Sequence, residues 1–178
     1  MIDVDVFEQL LEMDEDDREF SQSLVWNYFE QAESTFQKMD GALYVDKDGG
    51  TYNYRIAKSL EELSTLGHFL KGSSAAVGVI KVRDSCEAIQ HYGKCHEPDG
   101  VTQLDPDTAL LRLKDTLHNV KEQYEEARST LRAFSVCSHD GTLTHLHTAQ
   151  NDEHNGIMML CVARVECQDV FDTMYNAV

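Results

Sequence analysis

His68, Lys71 and Gly72 lie close together in the run Leu66-Gly-His-Phe-Leu-Lys-Gly-Ser-Ser-Ala-Ala-Val-Gly78, with small residues around them. An exposed imidazole is largely neutral at cellular pH, and one of its ring nitrogens is then a free nucleophile. A lysine one helical turn away supplies positive charge for an incoming phosphate, and a glycine leaves room for another molecule to come close. Glycine inside a helix costs about 0.5–1 kcal/mol relative to alanine, so its presence asks for a reason. Clearing space beside the imidazole is such a reason. The combination suits a histidine that carries a phosphoryl group within reach of another protein.

The positions of these residues follow from the helix period of 3.6. Over Ile56–Val77, taken as one helix, Leu63, Leu66, Leu70 and Val77 form an apolar stripe with Ser73 beside it. His68 falls on the opposite side of the cylinder, flanked by Ser64, Lys71, Gly72 and Ala75. The leucines therefore face a core and His68 faces out.

Further amphipathic segments surround this helix. Val4–Met13 predicts a short first helix, and Asp16 or Asp17 can cap a long second one through Phe20, Leu24, Tyr28, Ala32, Phe36 and Met39. Residues 41–54 read as a loop insertion, centred on Asp46-Lys-Asp-Gly-Gly50. Val79–Cys95 predicts the helix after the histidine helix, with Val79, Val82, Cys86 and Ile89 inward and Arg83, Glu87, Gln90 and Lys94 on another face. After a loop over 96–104, Asp105 caps a last helix that Pro106 begins and that runs to about Phe134. The pattern predicts an all-α fold, an antiparallel four-helix bundle with a short N-terminal helix. It places the domain at 1–135 and leaves 136–178 as an unassigned tail, loosely packed or disordered.

The histidine run resembles the active helix of histidine-containing phosphotransfer (HPt) proteins, in particular the fungal, Ypd-type phosphorelay intermediates. Asp84-Ser-Cys86-Glu-Ala-Ile-Gln90-His-Tyr-Gly93 resembles the family's following helix, and Leu10-Leu-Glu-Met13-Asp-Glu-Asp-Asp17-Arg-Glu-Phe20 its acidic N-terminal segment. The likeness covers residues 3–40 and 56–95, and more loosely 106–135. It implies that His68 is phosphorylated by a receiver-domain aspartate of a hybrid sensor histidine kinase. The group then passes to the receiver aspartate of a response regulator. It also implies that Gln90 hydrogen-bonds near the imidazole and that Ser73 orients the site. Ser73 by itself reads as a residue bonding a helix carbonyl. Lys94 stands where relatives tend to carry arginine, which keeps the charge and loses bidentate geometry.

The N-terminal segment suggests where a partner approaches. Residues 1–20 are strongly acidic, with Arg18 the one basic residue, and Val6, Leu10, Leu11 and Met13 make an apolar strip within them. Phe20 and Leu24 continue the strip. Such a patch either covers the end of the bundle or docks a partner with an apolar centre and a charged rim. The resemblance implies docking of receiver domains by Val6, Leu10, Met13, Phe20 and Leu24, with Asp14, Asp16 and Asp17 at the rim.

Composition bounds the alternatives. A net charge of −17 argues against nucleic acid or an anionic membrane as partner. No apolar run approaches the ~20 residues that span a bilayer, and the start lacks the basic region of a signal peptide. The five cysteines show no paired metal or redox spacing, so reduced thiols in the cytosol are expected, with the nucleus also open to a carrier of this size. No phosphate-cradling glycine loop is present. The expectation is a monomeric covalent carrier rather than an ATP-dependent kinase, without a cofactor of its own, the divalent metal coming with the receiver. Two rival readings are a helical adaptor that docks receivers without transfer, and a metal-binding protein acting through His139, His145, His147, His154 and the tail cysteines.

Overall fold

A computed structural model describes residues 2–14, 19–44 and 52–136, all of whose regular structure is helical. The chain divides into two compact units, Met1–Arg128 and Ser129–Val178. Within the second, only the end of the last helix is described. The expectations for Asp16, Asp17, the loop centre at 46–50 and the tail beyond Val136 lie outside the described residues.

Five helices follow in order: α1 (Val4–Leu11), α2 (Glu19–Leu43), α3 (Tyr52–Ala76), α4 (Ile80–Tyr92) and α5 (Pro106–Val136). Cross-helix pairs fix their directions. From α2 to α3, the Tyr28 hydroxyl lies 3.2 Å from Ser74 Oγ, and Ser59 Oγ donates to the Ala42 carbonyl. From α4 to α5, Lys81 pairs with Glu126 at 3.3 Å and Ser85 Oγ with Gln123 Oε1 at 2.7 Å. From α5 back to α2, Lys121 pairs with Asp40 at 2.6 Å and Arg128 with Glu33 at 2.8 Å. In each case numbers rise on one helix as they fall on its neighbour. The four long helices therefore form the expected antiparallel bundle.

Its interior is apolar and aromatic. Phe36 packs edge-on against Tyr124 with ring centroids 5.3 Å apart, and Tyr28 and Phe29 approach the same ring at 6.1 and 6.2 Å. Leu63, Leu70, Val77, Val82, Ile89, Leu113 and Val120 complete the core. Cys86 is fully buried in it, and burial pushes its thiol up to about 12, which makes it a chemically quiet core residue.

Several boundaries differ from the sequence expectation. α2 extends to Leu43 and α3 begins at Tyr52, so both helices reach into the expected loop. No proline interrupts Tyr52–Arg55, the Tyr52 hydroxyl donates to Asp107 Oδ1 at 2.7 Å, and Ile56 is already buried. α4 stops at Tyr92, three residues early. Cys95 adopts φ +58, and the chain from Cys95 to Leu104 folds into a tight turn whose centre is Asp99. That carboxylate accepts from the Val101 and Thr102 amides and the Thr102 hydroxyl, which holds it down to about 2. Asp105 caps α5 as expected, accepting from the Thr108 amide and hydroxyl.

A last tie sets the position of α1. Asp3 caps it through Oδ1 to the Val6 amide at 3.3 Å, and the Asp3 amide donates to the Gly78 carbonyl at 2.7 Å. Gly78 lies at φ +74, and a Cβ there would stand 2.8 Å from the Asp3 carbonyl oxygen. Only glycine lets the α3–α4 turn accept the N-terminal segment so closely.

Candidate functional site

α3 and α4 pack with their backbones unusually close. A Cβ on Gly67 would lie 2.9 Å from Ile89 Cγ2, 3.0 Å from the Cys86 carbonyl oxygen and 3.2 Å from the Gln90 nitrogen. One on Gly93 would lie 2.7 Å from the Leu60 oxygen and from Ser64. Ser64 Oγ donates to the Gln90 carbonyl at 3.0 Å. Leu60, Ser64, Gly67 and Lys71 recur at helical spacing, so one narrow face of α3 lies along α4.

This approach places α4 side chains beside the exposed histidine. His68 Nδ1 lies 3.4 Å from Gln90 Oε1. An amide oxygen only accepts, so this contact is a hydrogen bond in the tautomer that carries its proton on Nδ1. Nε2 then holds the free lone pair. One turn along, Lys71 Nζ lies 3.2 Å from Glu87 Oε1. Gly72 is exposed, and a Cβ there would meet nothing within 4 Å. Ser73 donates to the Leu70 carbonyl at 3.2 Å, the local role expected of it.

The expected partner surface divides. Met13 is 62% and Phe20 44% exposed, and Val6 and Leu24 are half-buried. Leu10 is only 5% exposed, so it belongs to the interior with Phe7 rather than to a docking surface. Asp14 is half-buried and accepts from the Ser21 amide at 2.8 Å, which makes it a cap for the first turn of α2 as well as a candidate rim charge. Lys94 is exposed but lies past the end of α4, in the turn that follows, and not on the helix face with Glu87 and Gln90.

Three contributions were not read from the sequence. Phe69 is 52% exposed beside His68 and projects from α3 on the side away from Lys71, as its 100° offset requires. Glu87 is the partner of Lys71. Gly67 and Gly93 bring the helices together. Small residues at helical spacing are the signal for such a close approach, and Ser64 and Gly67 carry it once the face of α4 is known.

His68 lies on an exposed part of α3. Neither of the two principal grooves is lined by His68; the larger, about 470 Å³, runs along α3 from Ile56 to Thr65 and is closed by Gly93, Cys95 and Pro106. Among the described residues, no three His, Cys, Asp or Glu side chains gather to hold a metal ion. No described helix is long and apolar enough to cross a membrane.

Known proteins resemble this chain along the same elements. A family model described as Hpt domain matches residues 23–127. Multistep phosphorelay regulator 1 of Schizosaccharomyces pombe is 48% identical over 136 residues, covering 75% of this chain and 42% of that protein. Phosphorelay intermediate protein YPD1 of Candida albicans is 43% identical over 93 residues, covering 52% of this chain and 44% of that protein. The chain thus spans less than half the length of these curated relatives. The crystal structure of the yeast phosphorelay protein YPD1 superposes with a TM-score of 0.61 at 28% identity, covering 75% of this chain and 94% of that one. The Saccharomyces cerevisiae Ypd1 crystallised with the receiver domain of its downstream response regulator Ssk1 superposes with a TM-score of 0.61 at 29% identity, covering 75% and 93%.

Proposed function

We propose that this chain, which belongs to the Hpt domain family, is a phosphorelay intermediate that carries a phosphoryl group on His68. The group comes from the receiver aspartate of a hybrid sensor histidine kinase and passes to the receiver aspartate of a response regulator. The observation that carries this reading is the arrangement at His68. Nδ1 is engaged by Gln90, His68 is exposed with its Nε2 lone pair free in that tautomer, and a Cβ on Gly72 would meet nothing within 4 Å.

The step balances without help from a cofactor of the chain's own. The Nε2 lone pair attacks the phosphorus of a receiver aspartyl phosphate. An N–P bond forms as the bond from phosphorus to the aspartate oxygen breaks, and the electron pair leaves on the carboxylate. The Nδ1 proton stays on the ring, and the Gln90 oxygen stabilises the resulting positive charge. Onward transfer reverses the sequence, a second receiver's aspartate oxygen attacking and the electron pair returning to Nε2. The chain's contribution is positioning and electrostatics, as in phosphoryl transfer generally. A divalent cation fits this scheme as a component of the receiver.

Partner docking is assigned to the exposed Met13, Phe20 and Phe69 and the half-buried Val6 and Leu24, with Asp14 and Lys94 among the charges around them. A few residues packed at an interface centre carry most of the binding energy. Work in the cytosol and nucleus is consistent with a carrier that moves between partners.

Mixing the protein with a radiolabelled phospho-receiver domain tests the reading. Acid-labile, alkali-stable label should appear on the chain, map to the peptide containing His68, and be absent from His68→Gln. A wild-type protein that binds the receiver and takes no label is the adaptor instead.

A further inference from the structure

Two contacts cross from α3 to α4 in matched register. His68 and Lys71 are one turn apart on α3; Gln90 and Glu87 are one turn apart on α4, running the other way. The lysine nearest the nucleophile is therefore not a free cation. Its Nζ lies 3.2 Å from Glu87 Oε1, with both side chains partly exposed. Lys94, by contrast, has no carboxylate within ion-pair distance among the described residues.

A phosphoryl group adds between one and a half and two negative charges, roughly. Placed on Nε2 of His68, it draws on the same Lys71 ammonium that Glu87 holds. A lysine ammonium is a point charge on a flexible stem and can face only one of two competing anions fully. We infer that Glu87 is a positioning residue for the transfer: by holding Lys71 it withholds charge compensation from phospho-His68. The phosphorylated state is kept less stable than Lys71 alone would make it, so the group leaves readily for a receiver. This rests on His68 being the carrier.

The inference separates from a plain structural tie between two helices by a measurement on the phosphorylated protein. Glu87→Gln keeps size and an oxygen that can accept from Lys71, but removes the charge. The phosphohistidine half-life in buffer should lengthen about two- to fivefold, the range of an exposed ion pair. The equilibrium with a receiver domain should shift toward phospho-His68 by the same factor. Glu87→Asp should behave as wild type. In a Lys71→Met background, Glu87→Gln should have no further effect, since the carboxylate acts through the lysine. An unchanged half-life in Glu87→Gln, with or without a change in melting temperature, overturns the inference and leaves the carrier assignment standing. So does an equal lengthening in the Lys71→Met background. A wild-type chain that takes no label overturns both.

Discussion

Gly72→Gln should fold as well as the wild type and transfer phosphoryl groups about a hundredfold more slowly or worse. The two halves of this expectation rest on one observation. A Cβ at position 72 meets nothing within 4 Å, so a side chain there starts into open space and the bundle has no reason to resist it. The same open space lies one turn from His68, on the face that a receiver covers in the proposed transfer to bring phosphorus to Nε2. A glutamine there holds the two surfaces apart, and a displacement of about 1 Å is enough to cost two orders of magnitude in an in-line reaction. Gly72→Ala supplies the control. In mid-helix and exposed, alanine should raise stability by about 0.5–1 kcal/mol. Denaturant melts and single-turnover transfer rates read the two effects separately. Wild-type transfer by Gly72→Gln would show that the partner does not use this space.

Gly93→Ala should do the opposite, damaging the fold first. The added methyl carbon would stand 2.7 Å from the Leu60 carbonyl and from two atoms of Ser64. The Leu60 oxygen and the Ser64 nitrogen are backbone atoms of a packed helix and cannot swing aside. Relief requires α4 to move away from α3, an overpacking cost of about 3 kcal/mol, or roughly 10 °C in melting temperature for a domain of this size. The movement also breaks the Ser64–Gln90 hydrogen bond and carries Gln90 away from His68. Residual folded protein should therefore transfer more slowly as well. A melting temperature within 2 °C or so of wild type would mean that the contact is looser than the geometry states.

The contrast between these glycines shows what could be read from the chain. That His68 points outward while Leu63, Leu70 and Val77 point inward follows from the helix period alone, and the structure agrees, whereas Leu66 of the same expected stripe is only half-buried and Ser64, expected beside His68 on the outer face, is buried against α4. Helix existence and order were equally legible, because four long segments carry strong apolar periodicity. The contacts between helices were not. Gly67 and Gly93 look like ordinary helix interruptions until the partner backbone is in place. Lys71 looks like a free charge until Glu87 arrives from the next helix. Leu10 shares a strip with Val6 and Met13, but on so short a helix periodicity does not tell which edge of the strip meets the interior. Phe7 and Leu10 turned inward, and Met13 was left outside.

The tie between Asp3 and Gly78 has a kinetic side. It joins residues far apart along the chain, and closing a long loop carries an entropic cost that grows with the logarithm of its length. The α3–α4 pair, joined by a short turn, bears almost none of that cost and can form early. α1, eight residues long, is too short to persist alone in water and is stable only against its neighbours. It is thus expected to be the last helix set down and the first to lift, by an opening well short of global unfolding. The amide of Asp3 should exchange with solvent sooner than amides in the middle of α4. The helix that carries Val6 is in that sense the piece of the proposed docking surface with the least to hold it in place.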